Sequence, residues 1–340
     1  MGGLGNQLFQ IFATIVYATK TKQKFFFTQD KILHCGIPRE TYWDTFLICL
    51  KNYTKPFCAE LVVHNPDHRY VCVLDRLEEA ITENPRKNIK LNGYFQSPRY
   101  FEEYRDVLFY MIALKEQKSD LIADCPNMFV FAYKTTHYIS MHFRLGDYKY
   151  VQESHNLLPV EYYKRALRHI VDTHIARCGA EYTNNIIKNT SATTSATTSA
   201  TTSATTSATT PETTPETQGF TGGAQPPIIY SFVVYVFCEE EDNDTVAKIV
   251  QEINNEMNDG NYFLAFLKID DSIDDWKQML IMSICNSNII ANSTFSWWGA
   301  YFNENTDKIV CYPSRWFGPL LQHNYLGDMF PTEWTRISTE

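Results

Sequence analysis

The strongest constraint on the fold is an alternation of strand-like and helix-like segments between residues 138 and 302. Tyr138-Ile139-Ser140-Met141 is a short apolar run, and Ile228 to Phe237 is β-branched and aromatic, as suits a strand buried on both faces. Phe263 to Ile269 and Asn288 to Ala291 read as two more strands. Between them, one helix opens at Pro159, with proline near its first turn. A second runs from Thr245 to Met257, and Phe295 to Phe302 begins another. Asp274 and Asp275 load the first turn of a further helix, which carries Trp276, Met279, Leu280 and Ile284 on one stripe. This order predicts the α/β class, with a parallel sheet and crossover helices.

The first half is less regular. A helix is predicted over Leu8 to Ala18, with Leu8, Ile11, Phe12 and Ile15 on one face, and a second over Pro98 to Leu114. Between Lys22 and Asn92 only short strands at Phe25–Thr28 and Tyr70–Leu74 stand out. The alternation is interrupted by five Ser-Ala-Thr-Thr units, residues 191 to 210, and a Pro-Glu-Thr stretch ending at Thr217. With no apolar residue larger than alanine, this stretch cannot offset its chain entropy by burial. Residues 185–226 are therefore expected to be a disordered low-complexity insertion.

A chain of 340 residues has room for two domains. The expected division is 1–136, then 137–320 holding the insertion, then a tail over 321–340. The net charge of −9 argues against a nucleic-acid binder, which would show a basic stripe. The nine dispersed cysteines lack a Cys-x-x-Cys pair and read as free thiols, not a disulfide frame or a zinc site. No apolar run is long enough for a membrane helix, and no signal peptide is visible. A cytoplasmic location is expected, with a Golgi lumen reserved for a chain carrying a further N-terminal anchor.

Three segments end strands in chemistry-bearing residues. His142, Arg144 and Asp147 flank Gly146, which lets the chain fold Asp147 back toward the first two. Arg144 suits a pyrophosphate, and the bland alternative is a structural Arg144–Asp147 ion pair. Glu239 and Glu240 close the long strand, where they could meet nucleotide ribose or base donors or simply be solvated. Asn292, Ser293, Thr294 and Ser296 sit at a strand–helix junction where hydroxyls and free helix N–H groups make a neutral anion cradle. Core packing is expected for at least one of the adjacent Trp297 and Trp298. At the other end of the chain, Gly3, Gly5, Asn6 and Gln7 precede a helix as a tight turn or a binding loop.

These segments, with Gly93 to Ser97 and Asp275 to Ser283, resemble the inverting α-1,2-fucosyltransferases of glycosyltransferase family 11. The resemblance implies a GT-B architecture, two Rossmann-like domains facing a cleft. GDP-fucose would bind in the second domain, and the acceptor would be a β-galactoside. It also implies no metal and no other cofactor, and the chain is read as lacking an Asp-x-Asp pair in a suitable loop. Arg144 and the N-terminus of the 295–302 helix would then neutralise the departing phosphate, with Asp147 and His142 as candidate bases. Three features differ from the family pattern. Leu145 replaces a second arginine, Glu239-Glu240 replace a shorter acidic pair, and no strand precedes the glycine-rich loop, as a start upstream of Met1 would explain. A catalytically silent nucleotide-sugar or glycan-binding protein is the alternative expectation, and a mucin-like surface protein would require export.

Overall fold

The computed structural model describes residues 2–34, 38–56, 61–64, 88–126, 128, 136–198, 230–258, 260–324 and 326–340, with 61–64 and 181–198 as backbone only. In the first half, α1 (Leu4–Lys20) is followed by short strands β1 (Phe27–Thr28), β2 (Ile32–Leu33), β3 (Arg39–Glu40), β4 (Thr54–Lys55), β5 (Leu61–His64) and β6 (Asn88–Leu91). These pair only two by two, β1 with β4 and β5 with β6 parallel, β2 with β3 antiparallel. The strand expected at Tyr70–Leu74 lies outside the described residues. The expected helix over Pro98–Leu114 is broken. Two 3-10 turns (Pro98–Tyr100 and Glu102–Tyr104) lead into α2 (Arg105–Met111), and Ala113, at φ 51°, separates α2 from α3 (Leu114–Asp124). A left-handed residue stops the helical hydrogen-bond ladder there.

The second half is regular. β7 (Thr136–His142), α4 (Val160–Thr198), β8 (Tyr230–Phe237), α5 (Asn243–Met257) and β9 (Tyr262–Lys268) are followed by α6 (Asp275–Ile284), β10 (Ser287–Ile289), α7 (Thr294–Tyr301), β11 (Val310–Pro313) and β12 (Thr335–Ile337). All six strands are parallel, in the spatial order β12-β11-β10-β7-β8-β9. Numbered along the chain from β7, that is the doubly wound order 3-2-1-4-5-6, which reverses direction between β7 and β10. The four expected strands are present as β7 to β10, with boundaries that differ from the sequence expectation by a residue or two, and β11 and β12 extend the parallel sheet beyond them. The helix after β7 departs further. It runs on through 185–198, where an irregular insertion was expected to begin. Extending an existing helix needs no new nucleus, so Ser, Ala and Thr can follow on. The rest of the expected insertion lies outside the described residues.

Two hydrophobic clusters fill the faces of the sheet. Ile139, Met141, Val234 and Val236 pack under α4 and α5, whereas Tyr138, Tyr235 and Phe237 join α6 and α7 on the opposite side, as strand alternation requires. That second cluster continues without a break into α1, Trp43, Phe46, Tyr100 and Phe101. The first half of the chain thus supplies an outer layer to the core of the second. Among the described residues there is no second Rossmann-like sheet to match the GT-B expectation. The apolar face expected on α1 (Leu8, Ile11, Phe12 and Ile15) is buried, and Phe9, Ala13 and Val16 are buried as well because α7 covers one side and the 98–101 turn another. Among the described cysteines, Cys49, Cys125, Cys238, Cys285 and Cys311 are free thiols, the last three of them buried. No described helix is long and apolar enough to cross a membrane.

Candidate active site

β7 delivers its last residues to the reversal point of the sheet, where ligands of open α/β sheets collect. Beyond His142, the Phe143 N–H donates to Phe237 O at 2.8 Å, holding the chain against β8 before it turns at Gly146. Gly146 has φ +34°, and a Cβ there would collide with the Glu239 carboxylate. Its N–H donates to Asp242 Oδ2 at 2.8 Å, which fixes the turn from the start of α5. Folded this way, Arg144 forms ion pairs with both Asp147 and Glu239. The structural Arg144–Asp147 pair is therefore present, and it lies within the candidate site. Arg39 Nη2 approaches the other Asp147 oxygen at 4.0 Å, and the Arg144 guanidinium lies 5.0 Å from the Tyr148 ring centre. His142 is buried with Nδ1 unpartnered. Burial, aided by the Arg144 charge, pushes its pKa down to about 3, so the imidazole is neutral at pH 7 and a weak proton acceptor.

Carboxylates crowd the end of β8. Glu239, Glu241 and Asp242 bring oxygens within 4.8 Å of one another, a grouping able to hold a metal ion. Side-chain cations already meet it, with Arg144 on Glu239 and Lys149 on Asp242. Asp242 and Asp244 do stand in Asp-x-Asp spacing, contrary to the sequence reading. They open the α5 region, where Asp242 is fully buried.

The third wall is built where two helices start side by side. Ser293 caps α7, its Oγ accepting from the Phe295 N–H at 3.3 Å. A Cβ on Gly5 would lie 2.5 Å from the Thr294 carbonyl carbon, so only glycine lets α1 come this close. Trp298 Nε1 then donates to Gly5 O at 2.8 Å, and both tryptophans are buried as core residues. The positive ends of α1 and α7 consequently share one site.

A cavity of about 550 Å³ joins these walls. His142, Arg144, Asp147, Glu239 and Glu240 line it, as do Asn292, Ser293 and Thr294, and Gly3, Gly5 and Asn6. Two expected residues do not. Ser296 turns its hydroxyl back to Ser293 O at 3.3 Å, bonding within its own helix, while Gln7 donates to Gly2 O at 3.1 Å and Glu40 O at 2.8 Å. Several lining residues were not singled out from sequence: Arg39, Tyr42, His155, Asp275, Trp316 and Phe317. Asp275 lies in a segment already noted for its family resemblance; the others carry no local sequence signal. The Tyr42 hydroxyl donates to the Asp275 carboxylate, whose pKa burial raises. Gln96 Nε2, also on the cavity, donates to Asn6 Oδ1 at 2.6 Å.

Residues 253–338 match Glycosyl transferase family 11. The matched stretch carries β9 to β12 and the α7 cradle, whereas Arg144 and Glu239 lie upstream of it. The O-antigen biosynthesis glycosyltransferase WbnK of Escherichia coli is 26% identical over 350 residues, covering 93% of each chain. An alpha-1,2-colitosyltransferase of Escherichia coli is 22% identical over 272 residues, covering 77% of this chain and 67% of that protein. These likenesses support family 11 and glycosyl transfer, a chemistry that needs a nucleotide-sugar donor and a glycan acceptor.

Proposed function

We propose that the chain transfers L-fucose from GDP-fucose to a galactoside hydroxyl, in α-1,2 linkage and without a metal ion. The observation that carries this reading is the meeting of Arg144 with the N-termini of α1 and α7 on one cavity at the sheet's reversal point. In a single inverting displacement the acceptor oxygen bonds to the anomeric carbon as the bond to the β-phosphate oxygen breaks. The electron pair leaves with the diphosphate. Arg144 and the two helix ends supply positive potential where that charge develops, which is the electrostatic work a metal performs in other enzymes. The cations already paired to the acidic trio at the end of β8 support the metal-free reading.

Glu239 and Glu240 follow the second strand of the doubly wound order, a position suited to ribose or base donors. Ser293 and Thr294 offer neutral partners beside the phosphates, whereas Asn292 has its amide N–H group committed to the Asn156 and Trp316 carbonyls. Asp147 is the candidate base on this wall, although Arg144 holds it. His142 serves better as a neutral hydrogen-bonding group. The α-1,2 linkage draws support from the relative named for alpha-1,2-colitosyl transfer, which also makes a colitosyl donor the competing substrate. The test is transfer from labelled GDP-fucose to a panel of β-galactosides with EDTA present. Fucosylated product is expected. A chain that binds GDP in calorimetry yet gives no product with fucosyl or colitosyl donors would be a silent binder, and the proposal would fall.

A further inference from the structure

Beyond the charged walls, one corner of the cavity is neutral and aromatic. Tyr148, whose ring faces Arg144, stacks on His155 with centroids 4.6 Å apart and an interplanar angle of 18°. His155 in turn meets Phe317 at 5.7 Å. Asn292 closes the corner from the end of β10, and Trp316 lies beside it. Asn292 is only 1% exposed, and its Nδ2 is committed to two carbonyls, Asn156 O at 2.9 Å and Trp316 O at 3.1 Å. That fixes the amide orientation and leaves Oδ1 as an acceptor with no donor. His155 Nδ1 is likewise buried and unpartnered. Buried polar atoms are nearly always satisfied in folded proteins, so two such atoms in one cavity corner point to a ligand.

The corner is also rigid. Gly318 N–H donates to Ser154 O at 2.9 Å, and a Cβ on Gly318 would lie 2.7 Å from the Glu153 carbonyl oxygen. The loops carrying His155 and Phe317 are thus pressed together, which suits a preorganised site. Tyr148, His155, Asn292, Trp316 and Phe317 bring no formal charge at neutral pH, since burial lowers the His155 pKa further below neutrality. A phosphate has no partner there. A sugar ring does, because its hydroxyls both donate and accept and its C–H face packs on aromatic rings.

From this arrangement we infer that Tyr148, His155, Asn292, Trp316 and Phe317 form a pyranose subsite next to the Arg144 phosphate position. The inference deepens the glycosyl-transfer reading and rests on it for the adjoining nucleotide. The sugar is either the transferred residue or the acceptor ring, and one set of measurements separates them. His155→Phe removes the ring nitrogens and keeps the stack; Phe317→Leu thins the aromatic wall. If the transferred sugar binds here, both variants lose at least fivefold in GDP-fucose affinity while GDP affinity stays within twofold of wild type. If the acceptor binds here, the acceptor KM rises at least fivefold and both nucleotide affinities are kept. Unchanged values in both variants, or a matched fall for GDP and GDP-fucose, would overturn the subsite. Saturation-transfer NMR with methyl fucoside and methyl galactoside reads the corner without any nucleotide. Should wild type fail to bind GDP, the glycosyl-transfer reading fails, whereas sugar saturation that is lost in His155→Phe would still establish the subsite and its absence would overturn it.

Discussion

Arg144→Ala separates binding from folding more sharply than any other single change. Among the described cavity-lining residues the only arginines are Arg39 and Arg144, set against six carboxylates on Glu40, Asp147, Glu239, Glu240, Asp271 and Asp275. Truncation removes charge-assisted bonds worth about 1.5–3 kcal/mol, which corresponds to roughly 10- to 150-fold in diphosphate affinity. It also frees Asp147 and Glu239 to repel the ligand, so the upper part of that range is expected. Stability should change far less. The Asp147 and Glu239 side chains are 42% and 48% exposed and hydrate readily once released, which limits the loss to about 1 kcal/mol. Transfer should fall further than binding, by about 10²–10³-fold, because the departing phosphate loses its principal counter-charge. Calorimetry with GDP, initial-rate assays and urea unfolding on the same preparation read all three. A variant that binds GDP within twofold of wild type would refute the assignment of Arg144 to the phosphate, and the ion pairs would then be purely structural.

Gly5→Ala drives a Cβ into the Thr294 backbone and should cost about 1–3 kcal/mol in urea unfolding, with donor affinity falling as α1 and α7 move apart. Ser293→Ala removes the α7 cap and should cost about 1 kcal/mol, detectable by thermal melting. His142 and His137 both have pKa values pushed down to about 3 by burial, well below the ordinary 6.5. The unfolded chain therefore binds more protons than the folded one as pH falls below 6.5, and stability declines. The slope should approach about 1.4 kcal/mol per pH unit for each histidine between pH 6 and 4.5. His137→Gln should remove about half of that slope in urea melts, and an unchanged slope would show that these rings titrate normally.

Four of the six sheet strands, β7 to β10, were legible in sequence because each is a short apolar run next to a helical segment. β11 and β12 were not, β12 being only Thr335-Arg336-Ile337 with no described α-helix between it and β11. Ile139 and Met141 face one cluster and Tyr138 the other, so the alternation itself encodes burial on both sides. In the first half α1 and β1 were legible, but β2 to β4 were not, since they are two residues long and have no period to detect. The site divides in the same way. Arg144, Glu239 and Asn292 follow strands of the sheet, so their place at its C-terminal edge could be argued locally. Arg39, Tyr42 and Phe317 reach the cavity only through tertiary closure. Ser296 and Gln7 belong to the right motifs but point inward, a distinction that helix phase and packing decide.

Helix α4 spans 39 residues, or about 58 Å at 1.5 Å per residue, whereas the seven-residue β7 beside it covers about 23 Å. Because β7 and β8 are parallel, α4 must run back from the cavity end of the sheet and overshoot the far end by more than a strand length. The first two Ser-Ala-Thr-Thr units, 191–198, ride on that overhang. Gaining or losing one four-residue unit within 191–198 would lengthen or shorten this overhang by about 6 Å, on the side of the sheet away from Arg144 and Asn292. A change in the length of this overhang is accordingly expected to leave the geometry of the cavity unaltered.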